Sequence, residues 1–196
     1  MNKLKYLEQQ TNNRYLNVYK AKYENKEKKT EYDYYIATRR KREDMACVTV
    51  AKDKNKTDAV MIVPVDQIND KIYLVKQFRP AVNDYVIEFP AGLVDPGEKE
   101  EETVVRELYE ETGLKVEQST ITIPASYTSV GMTDERVAIY TAIVSGEPNT
   151  DNLMDNEDIE ILAINSSQIE DVLAGKYGEV SIKTRIILTW MYYLEE

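Results

Sequence analysis

The stretch from Gly92 to Leu114, which reads GLVDPGEKEEETVVRELYEETGL, restricts the fold of this chain more than any other. Asp95-Pro96-Gly97 predicts a turn, because proline fixes φ and glycine tolerates a positive φ. Good helix formers follow from Glu98, and the first of them are acidic, as the helix dipole favours. Gly113 stands where a glycine commonly ends a helix. The stretch therefore predicts a turn, a helix and a defined helix end.

The predicted helix has an apolar face and an acidic face. Val104, Val105 and Leu108 recur at helical spacing, so we expect this face to pack against a sheet. Residues three and four apart lie on the same side of a helix, so three glutamates can converge elsewhere on its surface. They are Glu107, Glu110 and Glu111.

Three neighbouring carboxylates repel one another unless a cation lies among them. Arg106 can pair with Glu110 across one turn, but one guanidinium cannot neutralise all three charges. Hard divalent ions such as Mg²⁺ prefer oxygen ligands and are used together with substrate phosphates. The residues alone leave two interpretations open: a cation site, or an acidic helix face exposed to solvent.

The spacing resembles the signature of the Nudix hydrolase family. That pattern is a glycine, five residues, a glutamate, seven residues, and then R-E-U-x-E-E-x-G-U, where U is aliphatic. This chain matches it at every defined position, with Gly92, Glu98, Arg106-Glu107-Leu108, Glu110-Glu111 and Gly113-Leu114. The resemblance implies an α/β (α+β) fold, an α/β/α sandwich on a mixed sheet. It also implies metal-dependent hydrolysis of a nucleoside diphosphate linked to another group.

The resemblance also implies roles for individual residues. Mg²⁺, with Mn²⁺ as the alternative ion, would be bound by the backbone carbonyl of Ala91 and by three carboxylates. Arg106 would orient those carboxylates, Glu98 would lie at the edge of the metal site, and Gly92 would allow close approach of the backbone. The three carboxylates are those of Glu107, Glu110 and Glu111.

Two segments before the predicted helix resemble the ADP-ribose pyrophosphatase and nucleotide-sugar hydrolase branch of that family. They are Gln77-Phe78-Arg79-Pro80 and Glu88-Phe89-Pro90-Ala91-Gly92. Arg79 is then a candidate for contacting the diphosphate, with a salt bridge at a strand end as the alternative. Glu88 is a candidate acceptor on the substrate side, with an ion pair at a sheet edge as its alternative.

A later loop, from Tyr127 to Glu135, resembles the same branch and makes Tyr127 and Glu135 candidates for substrate binding. Val130 stands where that branch has proline, which weakens the assignment to ADP-ribose. Another nucleoside diphosphate sugar, such as GDP-mannose or another ADP-sugar, therefore stays open. A non-catalytic nucleotide-sugar sensor on the same fold is the third possibility, against which the intact glutamates argue.

The acidic stretch from Gly146 to Glu157 predicts a loop. In the enzymes it resembles, an acidic residue from such a loop helps to position or deprotonate the attacking water. Glu157 is the first candidate for this role and Asp155 the second. The alternative is a loop whose acidic side chains are all solvated.

Residues 1–56 predict a small N-terminal antiparallel β unit, and residues 57–196 the catalytic domain. Residues 1–13 are expected to fray or to form a short helix. Strands are predicted at Arg14–Tyr23, Thr30–Ala37 and Met45–Val50.

The resemblance implies that this N-terminal unit forms dimer contacts and supplies an aromatic side chain that stacks on the base of the nucleotide. Tyr32, Tyr34 and Tyr35 are the candidates, with ordinary strand packing as the alternative. Three arginines between the strands form either a solvated loop or a phosphate clamp in a dimer. They are Arg39, Arg40 and Arg42.

Further strands are predicted at Ala59–Val65, Lys71–Phe78, Tyr85–Phe89, Thr120–Ser126, Arg136–Val144 and Asp158–Ile164. Ser167 with Glu170 predicts a capping box for a helix that ends at Gly175. Ser181 can cap a last helix. Its apolar residues would cover the sheet or a partner subunit, and they are Ile182, Ile186, Leu188 and Trp190.

Charge and composition limit the partners. The net charge of −10 argues against nucleic acids and anionic membranes. Cys47 is the single cysteine, which excludes an intrachain disulfide, and the absence of histidine excludes histidine bases and typical zinc sites. MNKLKYLEQQ shows no apolar signal segment, so we expect a cytoplasmic protein. The partners expected are a small nucleoside diphosphate sugar and a second copy of the chain, giving a homodimer.

Overall fold

The computed structural model describes residues 2–48 and 56–194. Contacts divide the chain into two compact units. The first combines Met1–Asp58 with Ala125–Val137, and the second combines Ala59–Pro124 with Ala138–Glu196. The connection from 125 to 137 thus groups with the N-terminal residues, whereas the division predicted between residues 56 and 57 assigns it to the catalytic domain.

The first unit contains a three-stranded antiparallel sheet. Its strands are β1 (Lys3–Gln9), β2 (Asn17–Glu24) and β3 (Glu31–Thr38), with β2 in the centre. The sequence predicted β2 and β3, but the frayed or helical segment expected before residue 14 is wrong. A register shift between Leu4 and Tyr6 breaks the alternation of β1, so the strand pattern was hidden.

The strand predicted at Met45–Val50 is also wrong. Arg42–Asp44 form a short 3-10 helix and residues 46–48 form a turn, while Thr49 and Val50 lie outside the described residues. Met45 is fully buried in the core of this unit. Met45, which contributed to the strand prediction, instead packs into this core from the segment that follows β3. The other buried members of that core are Leu7, Tyr19, Ala21 and Ile36.

The second unit is built on a mixed sheet of eight strands among the described residues. The strands are β4 (Ala59–Asp66), β5 (Lys71–Arg79), β6 (Asp84–Glu88), β7 (Ala91–Leu93), β8 (Lys115–Tyr127), β9 (Arg136–Ser145), β10 (Ile159–Ile164) and β11 (Glu179–Val180). The main order is β11-β6-β5-β4-β9-β8, with β10 paired to β5 and β7 to β4. Since β11 runs parallel to β6 and β5 antiparallel to it, the predicted mixed sheet and α+β class are confirmed.

Three α-helices accompany this sheet in the described part of the chain: α1 (Glu100–Thr112), α2 (Ile169–Leu173) and α3 (Ile182–Leu194). Helix α1 ends at Gly113, whose φ of 69° is the left-handed cap expected there. Val104 and Leu108 are buried as predicted, but Val105 is 51% exposed. Val105 follows Val104 by 100° around the helix and so points away from the sheet.

The C-terminal helices differ in detail from the sequence prediction. The capping box in this region belongs to the 3-10 helix Ser166–Gln168 before α2, where the N–H of Asn165 donates to Oε1 of Gln168 at 3.1 Å, and not to Ser167 with Glu170. Ser181 does cap α3, since its Oγ accepts from the N–H of Thr184 at 3.4 Å. Among the four apolar residues expected to be covered, Leu188 is buried and the others are exposed: Ile182, Ile186 and Trp190.

None of the helices within residues 2–48 and 56–194 combines the length and the apolar character that a membrane crossing requires.

Candidate active site

The acidic face of α1 lies directly against the backbone of β7. Gly92 of β7 pairs with Val60 of the buried strand β4, so its backbone position is fixed by the sheet. A Cβ built on Gly92 would overlap the carboxylate of Glu107. A side chain at this position would therefore have to displace the Glu107 carboxylate.

Glu111 is the most buried member of the acidic group, with 3% of its surface exposed. Its Oε2 accepts a hydrogen bond from the N–H of Ala91 at 3.2 Å. Burial, reinforced by the negative charges of Glu107 and Glu157, raises the pKa of Glu111 to about 8. Burial also raises the pKa of Glu107. These carboxylates thus lie where ionisation is unfavourable unless a cation joins them.

Arg106 connects the acidic residues of the signature. Its Nη1 donates to Oε1 of Glu107 at 2.7 Å and to Oε2 of Glu110 at 3.1 Å. Its Nη2 donates to the carbonyl of Leu93 at 3.1 Å. The guanidinium therefore ties two glutamates of α1 to the end of β7, as expected of a residue that orients them.

Glu98 fixes Arg106 rather than facing the cluster itself. Its two oxygens accept from Nε and Nη2 of Arg106, both at 2.8 Å. The same carboxylate accepts from Oγ1 of Thr103 at 2.7 Å and from the N–H of Asp95 at 3.1 Å. The bond from Arg106 is the main reason that the pKa of Glu98 falls to about 2. The glutamate predicted at the edge of the metal site is a support for the arginine.

Glu157 is the loop carboxylate that acts electrostatically on the buried glutamates. Its negative charge contributes to the raised pKa of both Glu107 and Glu111, whereas Asp155 is not among the causes. Oε2 of Glu157 accepts from the N–H of Met154 at 2.9 Å. The structure thus favours Glu157 over Asp155 as the neighbour of the acidic cluster.

Arg79 and Glu88 form an ion pair with each other. Nε and Nη2 of Arg79 donate to Oε2 of Glu88 at 2.7 and 2.5 Å. The Arg79 side chain remains 43% exposed, and its charge opposes the rise in the pKa of Glu111. The salt bridge that the sequence left as an alternative is present, and it leaves the guanidinium near the acidic cluster.

The other two candidates, Tyr127 and Glu135, belong to the first unit. The Arg136 guanidinium lies 5.5 Å from the centre of the Tyr127 ring. Glu135 accepts from Oγ1 of Thr128 at 3.1 Å and lies 3.7 Å from Nε of Arg39. The structure therefore gives Glu135 a partner within its own unit.

Arg40 contradicts both interpretations of the arginine-rich connection, because it is neither solvated nor available as a clamp. It is 8% exposed, and its Nε and Nη2 donate to the two oxygens of Asp58 at 3.1 and 2.6 Å. Asp58 also accepts from the N–H of Arg136 at 2.8 Å. The sequence analysis missed Asp58 as the partner of Arg40. The two residues are too far apart in the chain for their spacing to indicate a contact.

The first unit also contains a cavity of about 400 Å³ whose walls are rich in tyrosine. Tyr32 and Tyr34 line it, whereas Tyr35 does not and is 57% exposed. Tyr32 stacks on Tyr23, with ring centres 5.8 Å apart and an angle of 18° between the planes. The remaining lining residues are Ile36, Ala46, Cys47, Tyr127, Val130, Met132, Thr133 and Asp134.

Cys47 lies in the wall of this cavity, in a turn rather than in the strand predicted for it. Burial raises the pKa of its thiol. A thiol that resists ionisation is a poor nucleophile.

Within the described residues, no group of three or more acidic or cysteine side chains stands ready to hold a metal ion as it is arranged. The Arg106 guanidinium lies between Glu107 and Glu110 and engages one oxygen of each carboxylate. These side chains nevertheless fit a hard divalent cation, because they offer carboxylate oxygens. The buried carboxylate of Glu111 accepts its hydrogen bond from a neutral backbone N–H and not from a cationic side chain.

The fold and this site define an α+β protein with a carboxylate cluster built between one helix and the backbone of a neighbouring strand. The model of the NUDIX domain matches residues 55–180, which is more than half of the chain. The chain belongs to the Nudix family.

Known relatives give the comparison more detail. The chain is 38% identical over 103 residues to the ADP-sugar pyrophosphatase of Mus musculus, covering 51% of this chain and 46% of that protein. It is 46% identical over 72 residues to the ADP-ribose pyrophosphatase of Bacillus subtilis (strain 168), covering 37% and 38%. The matched segments thus span less than half the length of either relative.

A crystal structure of an ADP compounds hydrolase superposes with a TM-score of 0.68, covering 88% of this chain and 83% of that one. The two sequences are 21% identical, so this likeness supports the fold.

Proposed function

We propose that this protein is a metal-dependent hydrolase that cleaves the diphosphate bond of a nucleoside diphosphate sugar. The observation that carries the proposal is the buried carboxylate of Glu111, which lies beside Glu107 with the backbone of Ala91 and Gly92 as its other wall. A buried acidic pair of this kind costs stability, and binding a cation removes that cost.

The residues that would hold Mg²⁺ or Mn²⁺ are Glu107, Glu110 and Glu111, with the carbonyl of Ala91. When bound, such an ion neutralises charge on phosphoryl oxygens and lowers the pKa of a water ligand. Arg106 keeps Glu107 and Glu110 oriented from one side and is itself held by Glu98.

Two other residues act on substrate and water. The Glu157 carboxylate accepts the proton of the attacking water, which its location next to the acidic cluster supports. Arg79, which carries a partly exposed guanidinium near Glu111, contacts the diphosphate, and Glu88 holds it in place. A planar guanidinium suits two phosphoryl oxygens at once.

ADP-ribose is the first substrate choice, with AMP and ribose 5-phosphate as products. The names of the two curated relatives support an ADP-linked sugar, and the tyrosine-lined cavity of the first unit offers aromatic surfaces for a base. Val130 lines the same cavity and stands where the ADP-ribose branch has proline, which favours GDP-mannose or another ADP-sugar as the second candidate.

A panel of ADP-ribose, GDP-mannose, other nucleotide sugars and dinucleotides, assayed with Mg²⁺, tests the proposal. We expect the highest kcat/KM on ADP-ribose and no turnover in excess chelator. A higher value on another sugar would replace the substrate, and turnover that survives chelation would remove the metal from the mechanism. No hydrolysis of any member would favour the sensor.

The homodimer stays a prediction from the family resemblance, and the cytoplasmic location stays a prediction from the sequence. Sedimentation equilibrium of the purified protein tests the first. A mass of one chain at micromolar concentration would reject it.

A further inference from the structure

The loop that carries Glu157 is fixed at both ends within the second unit. At its start, the N–H of Asn149 donates to the carbonyl of Thr112 at 2.8 Å. The Asn149 side chain occupies the space that a Cβ on Gly113 would need. The glycine that ends α1 therefore also makes room for the start of the loop.

The end of the loop is held by Asp158, the residue after Glu157. Its carbonyl accepts from the N–H of Phe78 at 3.0 Å. Its carboxylate Oδ2 accepts from the hydroxyl of Tyr85 at 2.5 Å. A hydrogen bond to a charged acceptor is stronger than one between neutral groups, so this second contact is the tighter of the two.

The ring of Tyr85 is partly buried and contacts two neighbouring side chains. Tyr85 of β6 stands opposite Phe78 of β5, and the two rings meet edge to face with centres 5.6 Å apart. The ammonium of Lys76 lies 5.7 Å from the centre of the same ring. The hydroxyl therefore reaches Asp158 from a ring that is supported on the sheet by Phe78 and Lys76.

Between the two anchors, the last turn of the loop closes on itself. The N–H of Glu157 donates to the carbonyl of Met154 at 2.9 Å, and the Glu157 carboxylate accepts from the N–H of Met154 at 2.9 Å. Because Glu157 is covalently joined to Asp158, anchoring Asp158 restricts the Glu157 backbone, and the bond from Met154 holds the carboxylate relative to that backbone.

We propose that Tyr85 is a positioning residue, which holds Glu157 beside the acidic cluster through its hydrogen bond to Asp158. The inference rests on the proposed function, in which Glu157 accepts the proton of the attacking water. It extends the site to a tyrosine that contacts neither substrate nor the glutamates of α1.

The test is a double-mutant cycle with ADP-ribose as substrate. Tyr85→Phe removes only the hydroxyl, so we expect kcat to fall about tenfold with little change in KM. In the Glu157→Gln background the same substitution should cost nothing more, because its effect passes through Glu157. Asp158→Ala should reproduce the loss of Tyr85→Phe.

Tyr177→Phe is the matched control, since the Tyr177 hydroxyl is also hydrogen-bonded to a side chain of this unit, accepting from Nε2 of Gln168 at 3.1 Å. We expect its kcat to match the wild type. A wild-type kcat in Tyr85→Phe, or losses that multiply in the double variant, would overturn the proposal.

Hydrogen exchange gives a readout that needs no turnover. Amides of residues 150–157 should exchange faster in Tyr85→Phe than in the wild type and in Tyr177→Phe. Unchanged exchange would overturn the positioning role. A wild-type protein that hydrolyses no nucleotide sugar would instead overturn the proposed function, while exchange still shows whether Tyr85 holds the loop.

Discussion

The carboxylate of Glu107 fills the volume in which a side chain at Gly92 would begin. The two residues belong to different elements, α1 and β7, and β7 is paired to the buried strand β4. The overlap involves the end of the Glu107 side chain, so a methyl group at position 92 would push that carboxylate out of its place. The absence of a side chain at Gly92 and the position of the Glu107 carboxylate therefore depend on each other.

Gly92→Ala should lower both stability and turnover. The added methyl group displaces Glu107, and overpacking of this kind typically costs about 1–3 kcal/mol. We expect kcat to fall about 100-fold or more, because a proposed metal ligand is displaced, while the far-UV spectrum stays that of the wild type. Thermal unfolding and steady-state rates measure the two effects.

Removing the Glu107 carboxylate should remove the clash. The free energy of unfolding of Gly92→Ala/Glu107→Ala should therefore be close to that of Glu107→Ala alone. Additive destabilisation in this pair would show that the methyl group meets another obstacle.

The metal-free protein should lose stability as the pH rises. The folded pKa of Glu111 is raised to about 8, so between the usual glutamate pKa and that value the folded state binds more protons than the unfolded state. The slope from one such group is at most about 1.4 kcal/mol per pH unit. Urea midpoints from pH 5 to 8 in chelator should fall, and Glu111→Gln should flatten the curve. Equal slopes of stability against pH in the wild type and Glu111→Gln would contradict the raised pKa of the buried Glu111 carboxyl.

Replacing Arg106 by lysine should disrupt the orientation of the glutamates. A single ammonium cannot reproduce the five contacts that the guanidinium makes with Glu98, Glu107, Glu110 and the Leu93 carbonyl. We expect kcat to fall at least about tenfold, with a stability loss of about 1–3 kcal/mol. Arg14→Lys, at a surface position, is the control. Wild-type rates in Arg106→Lys would show that the bridge is dispensable.

The sequence motif was sufficient to predict the helical part of this site. Helix α1, its glycine cap and the shared contact of Glu107 and Glu110 with Arg106 follow from spacing, because residues three and four apart share a face. The position of β7 against α1 could not be predicted from the sequence. It depends on a strand of only three residues, which pairs with β4 residues that lie 30 to 34 positions earlier in the chain. Only the structure shows that Gly92 faces Glu107.

The N-terminal unit shows where pattern reading fails. Leu4 and Leu7 are three residues apart, which does not fit a regular strand, and the irregular register of β1 explains how both still face the core. Arg40 was expected in a solvated loop or a phosphate clamp, and its buried pair with Asp58 was not predicted. Long-range partners of this kind leave no local periodicity to detect.

The tyrosine-lined cavity should contribute to substrate affinity and not to the chemical step. Tyr32→Ala should raise the KM for ADP-ribose about tenfold, within the range of one aromatic stacking contact, and leave kcat nearly unchanged. Tyr35→Ala is the matched control on the same strand, because that ring does not line the cavity. Equal KM values for the two variants would place the base elsewhere.

Turnover of ADP-ribose with Mg²⁺ by the wild type, Glu107→Gln, Glu111→Gln and Glu101→Gln, measured side by side, tests the central claim most directly. Glu101 lies on the same helix but is exposed, and it accepts a hydrogen bond from Tyr140 at 3.3 Å. We predict that the first two substitutions lower kcat by about 100-fold or more without unfolding the protein, and that Glu101→Gln retains the wild-type rate. Near-normal Mg²⁺-dependent rates in both Glu107→Gln and Glu111→Gln would contradict the assignment of the carboxylate cluster as the metal site of a diphosphate hydrolase.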